Sequence, residues 1–247
     1  MTRFNIQGKT ALVTGANRGI GKAFVNALVD AGAEKVYAAA RDEDGLNVIR
    51  QHDSGIVEPI LLDVTNCKHI TNLAIRIDTL DLLINNAGIV NGLLVSADNA
   101  PEIARIEMET NYFGPLNITR ALLPALKQSS HAAIINICSI AAISNFSSVG
   151  PYSTSKAALH SYTQGLRADL ASTSIHVMGV YPGPTNTRMT AGGQMSKAEP
   201  KEIALKTLEA LELGKIDVFP DDFSSKMYEV FLQHPHELEK LFSSMQL

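Results

Sequence analysis

One doubly wound α/β domain, with a parallel sheet of about seven strands, is the fold the sequence predicts. Three observations carry it. Short strand-like runs alternate with helix-like stretches along the whole chain. The intervening stretches are long enough to cross over a sheet, as parallel strands require. The runs themselves are nearly continuously apolar, as expected where helices cover both faces. In such a sheet, ligands bind beyond the carboxyl ends of the strands, so the residues after each strand are where chemistry is sought.

The elements follow in order. Thr10–Thr14 is a buried strand ending at glycines, and Ile20 to Ala31 has helical spacing through Phe24 and Leu28, stopping at Gly32. Lys35–Ala40, Ile56–Leu62 and Leu80–Ile84 read as strands, with a weaker helix over Cys67–Arg76. A long helix is expected from Pro101 to about Leu126, because proline is tolerated at a first helical position, and Pro124 marks its end or a bend. Ala132–Cys138 is a strand, Tyr152–Ala171 a helix and Ile175–Tyr181 a strand. The next helix opens at a Ser196–Glu199 capping box or at Pro200. Ile216–Phe219 is a last short strand, and Phe223–Phe242 a closing helix.

The 247 residues are 45% hydrophobic and 19% charged, enough to bury a large core in one domain over 1–247. A net charge of −4 gives no basic field for nucleic acid or anionic lipid. Met1 to Gln7 contains no signal-peptide stretch, and no run approaches the roughly 18 apolar residues of a membrane span. The expectation is a cytoplasmic protein without a membrane or nucleic-acid partner. Cys67 and Cys138 read as reduced core residues, and His234-Pro235-His236 as surface residues, so no metal site is expected.

Gly15, Asn17, Arg18, Gly19, Ile20 and Gly21 form a turn from the first strand into a helix. Glycines let a pyrophosphate approach the backbone, and the helix N-terminus offers free N–H groups and partial positive charge. The spacing is Gly-x-x-x-Gly-x-Gly, and its place after the first strand marks a dinucleotide site. The second strand ends in Ala40-Arg41, where an NAD site usually carries a carboxylate. Arg41, with Arg18 in the turn, suits a 2′-phosphate and hence NADP(H). Alternatively both arginines are solvated loop charges, with Asp42 neutralising Arg41 or capping the next helix. Asp63 could accept from an adenine amino group with Val64 on the ring, or could simply cap a helix.

Asn85-Asn86-Ala87-Gly88 follows the fourth strand and can be read as a turn. Ser139 follows the fifth, and Tyr152 and Lys156 lie four apart on one helical face. A nearby ammonium favours a tyrosinate, and a tyrosine tuned toward neutrality exchanges a proton with a substrate oxygen. Ser139 can hydrogen-bond that oxygen as charge develops. Taken alone, the pair could be an ordinary surface Tyr–Lys pair.

Together, Thr14–Gly21, Asn85–Gly88, Ser139, Tyr152-Ser-Thr-Ser-Lys156 and Pro182-Gly183 resemble the short-chain dehydrogenase/reductase family over about 8–220. The resemblance implies a Rossmann-like domain with sheet order 3-2-1-4-5-6-7. It places a catalytic tetrad on Asn111, Ser139, Tyr152 and Lys156. Tyr152 is then the acid/base. Lys156 binds the nicotinamide ribose and lowers the tyrosine pKa. Asn111 holds a relay water, although by itself it reads equally as a buried residue bonding main chain. Asn86, Ala87 and Gly88 line the cofactor, while Pro182, Gly183, Thr185 and Thr187 close over the nicotinamide. Thr185 departs mildly from the aliphatic residue frequent there. The family also pairs copies through two long helices, implying a homodimer or homotetramer.

Ile140, Ala141, Phe146, Val149, Leu93, Val95, Met189 and Met195 are candidate substrate contacts, suiting a small hydrophobic carbonyl or alcohol. Leu93 and Val95 read equally as loop core. The segment 187–200, with Gly192-Gly193, is a candidate lid. Three functions stay open: an NADP(H)-dependent carbonyl reductase or alcohol dehydrogenase, the same chemistry with NAD(H), and a non-catalytic NADP(H)-sensing module.

Overall fold

The computed structural model describes residues 4–245. The expected domain bounds extend over 1–3 and 246–247, which lie outside the described residues. Seven strands form one parallel sheet: β1 Thr10–Val13, β2 Lys35–Ala40, β3 Val57–Leu61, β4 Leu82–Asn85, β5 Ala132–Ile137, β6 Ile175–Val180 and β7 Asp217–Val218. Their order is β3-β2-β1-β4-β5-β6-β7, as the resemblance implied. The chain turns from one half of the sheet to the other at the β1–β4 pair, where Val13 lies beside Ile84. That reversal opens the crevice at the carboxyl edge.

Alternation along the strands divides the core in two. Ala11 and Val13 face the layer of α1 (Gly19–Asp30) and α7 (Pro200–Glu212), with Phe24, Leu28 and Leu208. Leu12 faces the opposite layer, with Leu73 of α3 (Cys67–Arg76), Leu122 of α5 (Gly114–Gln128) and Leu166 of α6 (Gly150–Asp169). The remaining helices are α2 (Glu43–Arg50), α4 (Ala100–Met108), α8 (Asp222–Gln233) and α9 (Pro235–Ser244). No helix among the described residues is long and apolar enough to cross a membrane.

Several expectations are corrected. The long helix is interrupted by a π-helical turn, Glu109–Phe113, between α4 and α5. Pro115 has no N–H to give the Asn111 carbonyl four residues back, so regular α geometry fails there. Pro124, by contrast, lies inside α5 without ending it. The closing helix is two helices, because His234 precedes Pro235 and leaves the α region at φ −144°, ψ 75°. Pro200 opens α7 and the Ser196–Glu199 box does not form, since Glu199 makes no side-chain cap bond. Cys67 is exposed at the first position of α3, beside its cap Asn66, while Cys138 is buried as expected. His234 and His236 are exposed, and no metal-binding cluster occurs among the described residues.

Candidate active site

A cleft of about 660 Å³ runs along the carboxyl edge of the sheet. The glycine turn, Arg41, Asp63-Val64, Asn86–Gly88, Ser139, Tyr152, Lys156 and the post-β6 residues Pro182, Gly183, Thr185 and Thr187 all line it. Of the expected site residues only Asn111 stands behind its wall.

At the nucleotide end, Gly15 and Gly19 hold φ of +64° and +53°, which favours glycine. A Cβ on Gly21 would stand 2.5 Å from Asn86 Nδ2 and closer still to the Gly15 carbonyl. Asn86 is more than a turn residue, because its Nδ2 donates to the Thr14 carbonyl at 2.8 Å and to that of Gly15 at 3.2 Å. Thr14 completes the clasp, its hydroxyl accepting from Asn86 N–H at 2.9 Å and Ala87 N–H at 3.0 Å. Thr187 crosses from the other side, 3.1 Å from a Gly19 Cβ position. Helix α1 has no side-chain cap and no acid in its first turn, so its N–H groups face the turn with their dipole unopposed.

Arg18 and Arg41 are exposed at this end. Asp42 takes both roles open to it: Oδ2 lies 3.4 Å from Arg41 Nε, and Oδ1 accepts from Gly45 N–H at 2.8 Å, capping α2. Asp63 does not cap α3, since Asn66 does; its Oδ1 accepts from the Thr65 N–H and hydroxyl. The closed glycine turn, uncapped helix and two arginines fit a pyrophosphate and a further phosphate. The donor set is thus compatible with NADP.

At the other end, Ser139 Oγ accepts from Ala141 N–H at 3.1 Å and also hydrogen-bonds Tyr152. Burial pushes the Tyr152 hydroxyl up to about 12, with Ser139 pulling it down, and Cys138 and Glu107 adding to the rise. Lys156 follows one turn on in α6. Its Nζ lies 5.8 Å from the Tyr152 ring centroid and donates to the Ile137 carbonyl at 2.8 Å. Burial drives Lys156 down to about 8, offset in part by Cys138. A Cβ on Gly88 would lie 3.5 Å from Lys156 Nζ, so that glycine leaves the approach to the ammonium open.

Asn111 sits in the π turn and bonds main chain. Its Oδ1 accepts from Ile89 N–H and its Nδ2 donates to Ile89 C=O, each at 2.9 Å. Nδ2 also reaches Ser155 Oγ at 2.9 Å. Gly183 N–H donates to Asp221 Oδ2 at 2.8 Å, and Asp221 also caps α8. Sequence reasoning missed Thr14 and Asp221; for Asp221 the signal was the capping pattern Asp221–Ser224. Thr185 spends its hydroxyl on the Gly183 carbonyl at 3.1 Å and bridges to Ala198. Of the substrate candidates, Ile140, Ala141, Phe146, Val149 and Met189 line the cleft. Leu93, Val95 and Met195 do not: Val95 packs on Gly150, and Met195 on the Phe146 cluster.

Comparison with known proteins agrees. The short chain dehydrogenase family profile matches residues 9–197. A Staphylococcus saprophyticus oxidoreductase is 34% identical over 220 residues, covering 84% of this chain and 92% of its own. A short-chain dehydrogenase from Burkholderia cenocepacia, solved in complex with NADP, is 37% identical with a TM-score of 0.90, over 97% of this chain and 99% of that one. One from Streptomyces avermitilis is 28% identical with a TM-score of 0.81, over 95% and 98%. With this sheet, this cleft and these relatives, the chain belongs to the short-chain dehydrogenase family of oxidoreductases.

Proposed function

We propose that this oxidoreductase is NADP(H)-dependent and interconverts a small apolar carbonyl compound and its secondary alcohol, with Tyr152 as general acid/base. The observation that carries the reading is the shared cleft: Ser139, Tyr152 and Lys156 line the same cavity as the glycine turn and Arg41. The bound nicotinamide would supply or accept the hydride. Tyr152, held as a phenol by burial, donates its proton to the substrate oxygen in reduction and takes it back in oxidation. Ser139 donates to that oxygen as charge grows on it. Lys156 offers a buried ammonium to the ribose hydroxyls and to the field around Tyr152. Ile140, Ala141, Phe146 and Val149 exclude water from the substrate side.

Arg41, Arg18 and the NADP of the Burkholderia cenocepacia relative support the cofactor preference. A cytoplasmic enzyme paired through the α4–α5 and α6 faces completes this reading. The test is NADPH oxidation over a panel of aldehydes and ketones, alongside NADH. Tyr152→Phe is expected to abolish turnover while retaining NADPH binding; full activity in that variant would falsify the mechanism. Arg41→Asp is expected to move the preference toward NADH, and a parent protein already preferring NADH refutes the role of Arg41. Retained NADPH binding without turnover on any substrate would favour the sensing module.

A further inference from the structure

Glu107 is a buried acid that the proposed chemistry does not use. It lies in α4, 1% exposed, and forms no ion pair among the described residues. Its Oε1 accepts from the Asn91 backbone N–H at 2.7 Å and from Asn91 Nδ2 at 3.1 Å. Its Oε2 is buried without a partner. A buried carboxylate with no cation is costly, and an alanine or leucine would fill the same helix face at less cost.

The surroundings of this bond suggest what it does. Asn111, four residues on, shares the helix face and holds Ile89 at both its N–H and its C=O. At the far end of the same segment, the Leu93 carbonyl accepts from Gly150 N–H at 2.9 Å. Val95 packs where a Gly150 side chain would stand. Gly150 opens α6, two residues before Tyr152. Asn111 also reaches Ser155 Oγ, which donates to the Tyr152 carbonyl at 2.7 Å. Residues 89–95 are thus fastened at Ile89 by Asn111, at Asn91 by Glu107, and at Leu93 by the first turn of the Tyr152 helix. Ile89, Val90 and Gly92 of this segment line the cleft.

We propose that Glu107 is a positioning residue for the reaction, fastening Asn91 so that the 89–95 segment holds the first turn of α6, and with it Tyr152, in register with the cleft. This rests on the reading of Tyr152 as acid/base. The charge of Glu107 also reaches Tyr152, adding to its upward push behind burial and Cys138. The other titratable groups near Tyr152 are Cys138 after β5 and Lys156 on α6. On α4 itself Arg105 is turned to the Pro101 carbonyl, and the neighbouring Glu109 of the π turn is exposed.

The test compares Glu107→Leu and Glu107→Gln by kcat and KM, by NADPH binding, and by the ultraviolet absorbance of tyrosinate against Tyr152→Phe. Glu107→Leu, which leaves the Asn91 donors unmet, is expected to lower kcat about tenfold to a hundredfold at unchanged NADPH affinity. Glu107→Gln keeps an acceptor without the charge. It is expected to lose less turnover and to move the Tyr152 ionisation to lower pH. Parent-like kcat in Glu107→Leu overturns the proposal, as does a parallel loss of NADPH affinity in both variants. Should Glu107→Leu not fold, Asn91→Ala is expected to lower kcat, and an unchanged value overturns it. A parent protein without turnover counts against the proposed function instead. In that case, an unmoved Tyr152 absorbance transition in Glu107→Gln separately overturns the positioning role.

Discussion

Lys156 is expected to weaken the fold that carries it. Its side chain is 4% exposed, and among the described residues its ammonium has one hydrogen-bond partner, the Ile137 carbonyl at 2.8 Å. Burial takes the group from 10.5 to about 8, and at about 1.4 kcal/mol per pH unit that is a cost of about 3 kcal/mol. A depressed lysine binds its proton less tightly folded than unfolded. The cost is therefore full below the folded value of about 8 and disappears as pH rises past 10.5. Replacing Lys156 by Met removes the buried charge at similar length and forfeits one charge-assisted hydrogen bond worth about 2 kcal/mol. Near neutral pH the variant should be more stable by about 1 kcal/mol, or roughly 2–4 °C in Tm for a chain of this size. Urea and thermal unfolding of both proteins, from neutral pH to strongly alkaline pH, measures the gap; groups common to both cancel. The gap should shrink through pH 8 to 10.5 and turnover should be lost throughout. A variant less stable than the parent at neutral pH, or a gap that does not change with pH, refutes the reasoning.

Two further outcomes follow from packing. Gly21→Ala places a methyl 2.5 Å from Asn86 Nδ2, so the turn must open; a strain of about 1–3 kcal/mol should weaken NADPH binding roughly tenfold to a hundredfold, read by fluorescence titration. Phe242 is fully buried in α9 and stacks on Phe146 at 3.9 Å, and Phe146 lines the cleft. Phe242→Ala should cost about 3–5 kcal/mol in denaturant unfolding and shift kcat/KM toward bulkier ketones across a size series. An unchanged size preference removes α9 from control of the substrate wall.

What is legible in the sequence is local. Gly15, Gly19 and Gly21 sit within one turn, and Tyr152 and Lys156 within one turn of helix, so spacing alone brings each set together. The parallel sheet could be anticipated because apolar runs alternate with crossover helices, whereas the strand order came from the family resemblance. What stayed hidden depends on partners distant in sequence. Thr14 meets Asn86 across 72 positions, Gly183 meets Asp221 across 38, and Glu107 meets Asn91 across 16. Local patterns mark some of these residues, such as the Asp221–Ser224 cap, but none of them names the distant partner. The π turn and the α8–α9 break are different, since Pro115 lacks the N–H of a regular turn and Pro235 moves the residue before it out of the α region. Cys67 misled because its apolar character says nothing about which face of α3 it occupies.

The same burial acts in opposite directions on the two groups at the centre of the cleft. It moves the Tyr152 phenol up to about 12 and the Lys156 ammonium down to about 8, making both harder to ionise. Since about 8 still lies above neutrality, the pair rests as phenol and ammonium: one proton ready to give, one positive charge. That is the state a carbonyl reduction starts from. Alcohol oxidation starts from the opposite one, with Tyr152 giving up its proton against burial, and with the Ser139 hydroxyl and the nearby Lys156 ammonium on the side of the phenolate. Burial therefore leans the pair toward the proton donor, and a base at Tyr152 depends on the positive charge that Lys156 keeps beside it.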